Sequence, residues 1–300
     1  MLHNKDKILQ NPRLCKAIFG MSREEILRLL PLFSQCLLAY RYELHPHRKR
    51  KVGGGRKGDL PTDLDKLLYI LMYLKIYSTY DVFSVLSEHQ RSKCGDSVQL
   101  LLPVLERTLG RKLVLPARKA TSLEEVFEKI PELKDVFLDG TERRVQRPKN
   151  TKKQRKLYSG KKKATTRKNI LLTTEKKRIL FLSKTKSGRR HDKRITDKHH
   201  LISVIPEDVT VWTDTGFQGI QHQHANTMMP QKATKRKPLT FAQKQNNRLI
   251  AGIRVIVEHA IAGWKRFQAV SDIYRNRLPN FDDRMNMVCA GLWNFHLEQA

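Results

Sequence analysis

Cysteine is scarce and scattered. Cys15, Cys36, Cys94 and Cys289 form no Cys-x-x-Cys pair, and no histidines stand at zinc spacing, which argues against a structural zinc site and a disulfide framework. They read as small buried residues. Long apolar runs are missing too. None reaches the roughly 18 residues of a membrane span, and the longest, Leu64 to Tyr77, is broken by Asp65, Lys66 and Lys75. The opening stretch HNKDKILQNPR is polar, unlike a secretory signal. These absences predict a soluble, cytoplasmic protein. Acids are the third shortage: 29 Asp+Glu face 59 Lys+Arg in 300 residues, a formal charge of +30. Such an excess calls for a polyanionic partner, nucleic acid first and an acidic membrane surface second. The length suffices for one large domain or two modest ones.

Ser22 and Glu25 have the spacing of a capping box, opening a helix with Ile26, Leu29, Leu30 and Phe33 inward. The run HPHRKRKVGGGRKG (45–58) cannot build a core and reads as a basic linker or arm, contacting phosphates or simply solvated. Leu64, Leu67, Leu68, Leu71 and Leu74 mark a buried helix, and Val82, Phe83, Val85 and Leu86 a short second one. Gly95-Asp96 predicts a break, with Asp96 capping a third helix that Pro103 interrupts. This order is compatible with a helix-turn-helix, as it is with any small helical bundle.

The character changes near residue 120. VFLDG reads as a buried strand whose far end carries Asp139. From Arg143 to Lys168, 13 of 26 positions are Lys or Arg and none is acidic. Strand-like segments follow at 170–174 and 179–183 around a Glu175-Lys-Lys-Arg turn, so a hairpin is predicted on a basic surface suited to tracking phosphates. After SGRRHDKRITD and a helix through Leu201 and Ile202, the strand at 209–213 also ends in an acid, Asp214. A closing amphipathic helix spans Phe281 to Glu298.

The stretch Asn247 to Phe267 organises the rest. At 100° per residue, Ile250, Ile253, Val257, Ile261 and Trp264 share one face, with Arg254, Glu258 and Lys265 in a stripe beside it. An exposed i,i+4 ion pair would account for Arg254 and Glu258 taken alone. With two strands ending in Asp139 and Asp214, a second reading opens: three carboxylates converging on one point. Such a cluster needs cations to neutralise it, and oxygen-only ligands suit Mg²⁺ or Mn²⁺. Two ions about 4 Å apart would activate a water or hydroxyl and stabilise the leaving oxygen of a phosphodiester. Taken singly, Asp139 and Asp214 could each be turn residues before glycine.

The segments VFLDGTERRVQRP (136–148), LYSGKKKATTRKNILLT (157–173), HDKR (191–194), WTDTGFQG (212–219) and IRVIVEHAIAGWKRF (253–267) carry a resemblance to bacterial insertion-sequence transposases of the Asp-Asp-Glu superfamily, within the insertion-sequence-five group. That group's signature helix is Tyr, two residues, Arg, three residues, Glu, six residues, Lys. Arg254, Glu258 and Lys265 keep the spacing, and Ala251 replaces the Tyr.

The resemblance implies an α/β fold with a ribonuclease-H-like core, a mixed sheet flanked by helices, over residues 119–300. An all-α, helix-turn-helix-like DNA-binding domain precedes it over 1–118. It implies Asp139, Asp214 and Glu258 as catalytic metal ligands for Mg²⁺ or Mn²⁺, two ions in all. Arg254 and Lys265 would meet DNA phosphates, alongside Arg143, Arg144, Lys161, Lys162, Lys163, Arg167 and Lys168 of the basic run. His191 and Asp192 would support the metal site from behind, or Asp192 would pair with Arg189 or Arg190. The implied substrates are double-stranded terminal inverted repeats and target DNA, with a homodimer or larger assembly holding two ends and no membrane partner. Water would cleave the element's end, and the freed 3′ hydroxyl would attack target DNA. A non-cutting DNA-binding protein of the same ancestry is the alternative, and a nucleoid-associated location is expected for either.

Overall fold

Two helices of the N-terminal half start with capping boxes. In the computed structural model, which describes residues 4–47, 58–234 and 237–299, the Glu25 amide donates to Ser22 Oγ at 3.3 Å and the Ser22 amide to Glu25 Oε2 at 2.6 Å. Donors left over at the helix start are thereby satisfied. The helix Arg23–Leu44 follows, with Ile26, Leu29 and Phe33 buried and Leu30 half-buried. Thr62 and Asp65 form the second box, and Lys5 Nζ donates to Asp65 Oδ1 at 2.6 Å. The helix that they open, Asp63–Ile76, is buried on every side from Asp65 to Leu74. It is the centre of the first unit's core.

The expected break at Gly95-Asp96 does not occur. One helix, Arg91–Arg111, runs through Gly95, Asp96 and Pro103. Cys94, Val98, Leu101, Leu105 and Leu109 make a single buried stripe across it, and burying that stripe outweighs the roughly 1 kcal/mol cost of a helical glycine. The preceding helix, Tyr80–Ser87, buries Phe83 but leaves Val82 and Val85 exposed. A three-residue turn at 88–90, with Glu88 left-handed, joins the two. Most of the basic arm at 45–58 lies outside the described residues.

The closing helix, Phe281–Leu297, packs on Arg91–Arg111. Asn294 Nδ2 donates to the Val114 carbonyl at 2.8 Å and Arg284 Nε to Glu106 Oε2 at 2.7 Å. The first compact unit therefore comprises Met1–Leu115, Trp264–Asp272 and Arg277–Ala300, which differs from the 1–118 and 119–300 division read from the sequence. A chain-end helix with two apolar sides joins whichever core covers both.

The second unit, Pro116–Gly263 with Ile273–Asn276, holds a mixed sheet. Its strands are β1 (Asp135–Arg144), β2 (Tyr158–Ser159), β3 (Ala164–Thr174), β4 (Ile179–Leu182), β5 (Lys186–Ser187), β6 (Thr210–Thr213) and β7 (Thr227–Met228). The spatial order is β2-β3-β1-β6-β7, with β4 and β5 also on β3. β3 runs antiparallel to β1 and β4, while β6 runs parallel to β1 and β7 to β6. The predicted hairpin is β3–β4. Val136, Leu138, Ile170, Leu172 and Val211 pack with Leu123 and Phe127 of the helix Ala120–Lys129, and with Ile195, Leu201 and Phe217. No helix among the described residues is long and apolar enough to cross a membrane.

Candidate active site

Asp139 does not end its strand. β1 continues through Gly140–Arg144 because β3 pairs with it as far as Arg144↔Thr166. On its other edge, β1 pairs with β6 only up to Leu138↔Thr213. Asp139 and Asp214 thus follow the last parallel pair, on strands that a sheet spaces about 4.8 Å apart. Beyond that pair Asp214 turns to cap the short 3₁₀ helix Thr215–Phe217, its Oδ1 accepting from the Gly216 amide at 2.8 Å. Asp139 Oδ1 accepts from the Gly140 amide at 2.6 Å.

The signature helix is longer than its motif, Phe241–Lys265. Ile250, Val257 and Trp264 are buried, but Ile253 is 39% exposed, so the apolar face is the narrower stripe at seven-residue spacing. Arg254 sits on this helix with Nη2 3.8 Å from Asp139 Oδ2, both side chains largely buried. Burial pushes the Asp139 carboxyl up to about 6; the Gly140 amide and Arg254 oppose this, and Asp214 and Asp192 add to it. A buried carboxylate among other carboxylates is hard to ionise.

Asp192 is the third acid here. It opens the short helix Asp192–Lys198, and its Oδ1 lies 2.8 Å from Lys168 Nζ. It pairs with Lys168, not with Arg189 or Arg190; the Arg190 carbonyl instead accepts from Lys168 Nζ at 3.0 Å. Two glycines make room for this carboxylate. A Cβ on Gly140 would stand 2.9 Å from Asp192 Oδ1, and one on Gly216 3.3 Å from Asp192 Oδ2 and 2.9 Å from Asp214 Oδ1. Lys168 also lies 3.3 Å from Glu142. Burial disfavours the Glu142 anion, yet hydrogen bonds from Thr166 and Ser159 together with Lys168 hold its carboxyl below the ordinary range.

The other predicted residues divide by exposure. Glu258 is exposed, one turn beyond Arg254, and no hydrogen bond or ion pair among the described residues ties it to Asp139 or Asp214. Arg144, Lys161, Lys162 and Lys163 are exposed. So are Lys152, Lys153, Arg155 and Lys156 on the helix Thr151–Leu157. Lys168 and Arg143 are buried instead. Arg143 and half-buried Arg167 both lie over the Tyr274 ring, 5.1 and 5.4 Å from its centroid. His191 is an exposed N-cap without a side-chain capping bond, and Lys265, half-buried, falls in the part of the helix grouped with the first unit. Among the described residues, no three His, Cys, Asp or Glu side chains stand close enough together to hold a metal ion as they lie.

The sequence offered Arg189 or Arg190 as the ion-pair partner of Asp192 and did not point to Lys168. The available signal was the glycine beside each site acid, Asp139-Gly140 and Thr215-Gly216 after Asp214, since glycines beside buried acids mark a close approach.

Residues 138–294 match the family model described as DDE superfamily endonuclease. The chain is 31% identical over 252 residues to the probable transposase for insertion sequence element IS702 of Microchaete diplosiphon, covering 83% of this chain and 86% of that protein. No solved structure matches. With a family model over more than half the chain and a transposase alignable along most of it, this chain belongs to the DDE superfamily of insertion-sequence transposases.

Proposed function

We propose that the protein is a DNA transposase that cuts at the terminal inverted repeats of its insertion element and joins the cut ends to target DNA. The observation that carries this is the placement of Asp139 and Asp214 directly beyond the last β1–β6 pair, with Arg254 against Asp139. The strand arrangement supports a ribonuclease-H-like core: three antiparallel strands (β4, β3, β1) continue into two parallel ones (β6, β7), and Asp214 follows the fourth strand of four residues or more.

The residues fit a divalent cation. Their donors are all carboxylate oxygens, which suits Mg²⁺ or Mn²⁺. Gly140 and Gly216 leave open the space a Cβ would fill against Asp192 and Asp214. Asp139, Asp214 and Glu258 would hold the metal, two ions in all, with Glu258 reaching in from one turn beyond Arg254. Bound there, such ions would polarise a phosphodiester and raise the nucleophilicity of water or a 3′ hydroxyl.

The chain's own residues account for the rest. Arg254 offsets negative charge at Asp139 and presents its guanidinium where a phosphate would lie. Arg144, Lys161, Lys162 and Lys163, with Lys265, bind the DNA backbone; Arg143, Arg167 and Lys168 shape the surface that carries them. In the first step water attacks the phosphorus at the element's end, the P–O3′ bond breaks and a 3′ hydroxyl is released. In the second that hydroxyl attacks a target phosphodiester, forming one P–O3′ bond and breaking another, without a protein–DNA covalent bond. The turn-linked helices Tyr80–Ser87 and Arg91–Arg111 are the element that reads the repeat sequence, and a dimer or larger assembly pairs the two ends. Asp139→Asn tests the assignment: strand cleavage should vanish while binding to the repeats persists. Cleavage by that variant would remove the assignment.

A further inference from the structure

Lys168 is a lysine with 6% of its surface exposed, in a stretch otherwise suited to holding phosphates. Its ammonium is committed inward, 2.8 Å from Asp192 and 3.3 Å from Glu142, with the Arg190 carbonyl at 3.0 Å. Burying an ammonium costs several kcal/mol unless it is paired and hydrogen-bonded, so a surface lysine would have served if phosphate binding were its purpose. The geometry around its partner is equally restrictive. Asp192 lies close against two glycine backbones, one following Asp139 and the other two residues beyond Asp214, where an added Cβ would stand 2.9 and 3.3 Å from its carboxylate oxygens.

We propose that Asp192 is a positioning residue of the reaction centre, anchored by Lys168. In this role it limits how closely the backbones that carry Asp139 and Asp214 approach each other, and so helps set where their carboxylates meet a divalent cation. The inference rests on the reading of Asp139 and Asp214 as metal ligands and adds a residue outside the Asp-Asp-Glu set. Three features carry it. The Asp192 carboxylate lies against both Gly140 of β1 and Gly216 of the short 3₁₀ helix, so it limits how closely those two backbones approach. Its negative charge lies beside Asp139, where it draws a cation in. The Lys168 ammonium fixes its orientation, and Glu142 holds Lys168 from the other side, so the pair stays in place whether or not a cation is bound. Groups behind metal ligands commonly alter metal affinity by about 10- to 100-fold when removed.

Titration of free Mn²⁺, followed by its electron paramagnetic resonance signal and without DNA, tests this in the full-length protein. Asp192→Asn keeps the shape and removes the charge, and Lys168 retains Glu142, so a thermal melt should show the fold intact. The expected result is Mn²⁺ affinity weakened about tenfold or more. DNA cleavage should then need correspondingly more Mn²⁺ to reach its plateau. Gly140→Ala displaces the carboxylate without changing any charge and should also weaken Mn²⁺ binding. Wild-type affinity in both variants, with both folded, would overturn the positioning role alone. A wild-type protein that binds no Mn²⁺ would overturn the metal-site reading and this inference with it.

Discussion

Asp139 and Asp214 occupy the first positions beyond the point where β1 and β6 part, one on each strand, after Leu138 and Thr213 form the last parallel pair. The sheet's hydrogen bonds hold the two acids side by side, and burial makes the Asp139 anion costly there. Burial and the neighbouring Asp214 and Asp192 raise the Asp139 carboxyl to about 6, above its value of about 3.9 in an unfolded chain. The ionised form therefore opposes folding above that range, fully so at pH 7 and not at all below about pH 4. Asp139→Asn should stabilise the metal-free protein at pH 7.5 by on the order of 2 kcal/mol. Calorimetric melts in EDTA check this: the variant's advantage should shrink as pH falls through 6 toward 4. An Asp139→Asn protein less stable than wild type at pH 7.5 would contradict the account.

Asp65 has the opposite sign. Although burial disfavours its anion, bonds from Lys5 and Thr62 hold its carboxyl below the ordinary range. Its contribution is present above the unfolded value of about 4 and is lost as pH falls through the lower folded value. Asp65→Ala should cost about 1–2 kcal/mol at pH 7. Chemical denaturation at pH 7 and pH 2.5 should show a smaller acid-induced loss in the variant than in wild type. Equal losses would exclude this carboxylate as an acid-labile point.

Lys161, Lys162 and Lys163 stand exposed on the turn between β2 and β3. If each meets one phosphate, replacing all three by Ala should reduce the salt slope of duplex binding by about 2.7. The sequence preference among duplexes should not change, since phosphate contacts position without reading bases. An unchanged slope, measured by fluorescence anisotropy across a salt series, would place the DNA elsewhere.

Local signals made much of this legible. The Ser22–Glu25 capping box, the β3–β4 hairpin and the two strand-borne acids each follow from short-range chemistry. What failed depended on partners distant in sequence. Gly95 and Asp96 carry the local signature of a break, yet the buried stripe from Cys94 to Leu109 keeps the helix continuous. Arg143 and Lys168 read as part of a basic run suited to tracking phosphates, whereas pairing of β1 with β3 folds them inward against Tyr274 and Asp192. Asp192 looked like a local partner for Arg189 or Arg190 because its Lys168 contact forms only once β3 is in the sheet. Ile253 and Glu258 share a helix with buried Val257, and which flank of that helix is buried is a tertiary fact that periodicity alone does not supply.

The most direct measurement is cleavage of labelled DNA carrying both flanks of the gene by purified protein in Mg²⁺. EDTA, Asp214→Asn and Glu258→Gln serve as controls. Discrete cuts are expected at an inverted repeat, absent in EDTA and in both variants while the variants still bind the same ends. Cuts that persist in EDTA or with Asp214→Asn would contradict it.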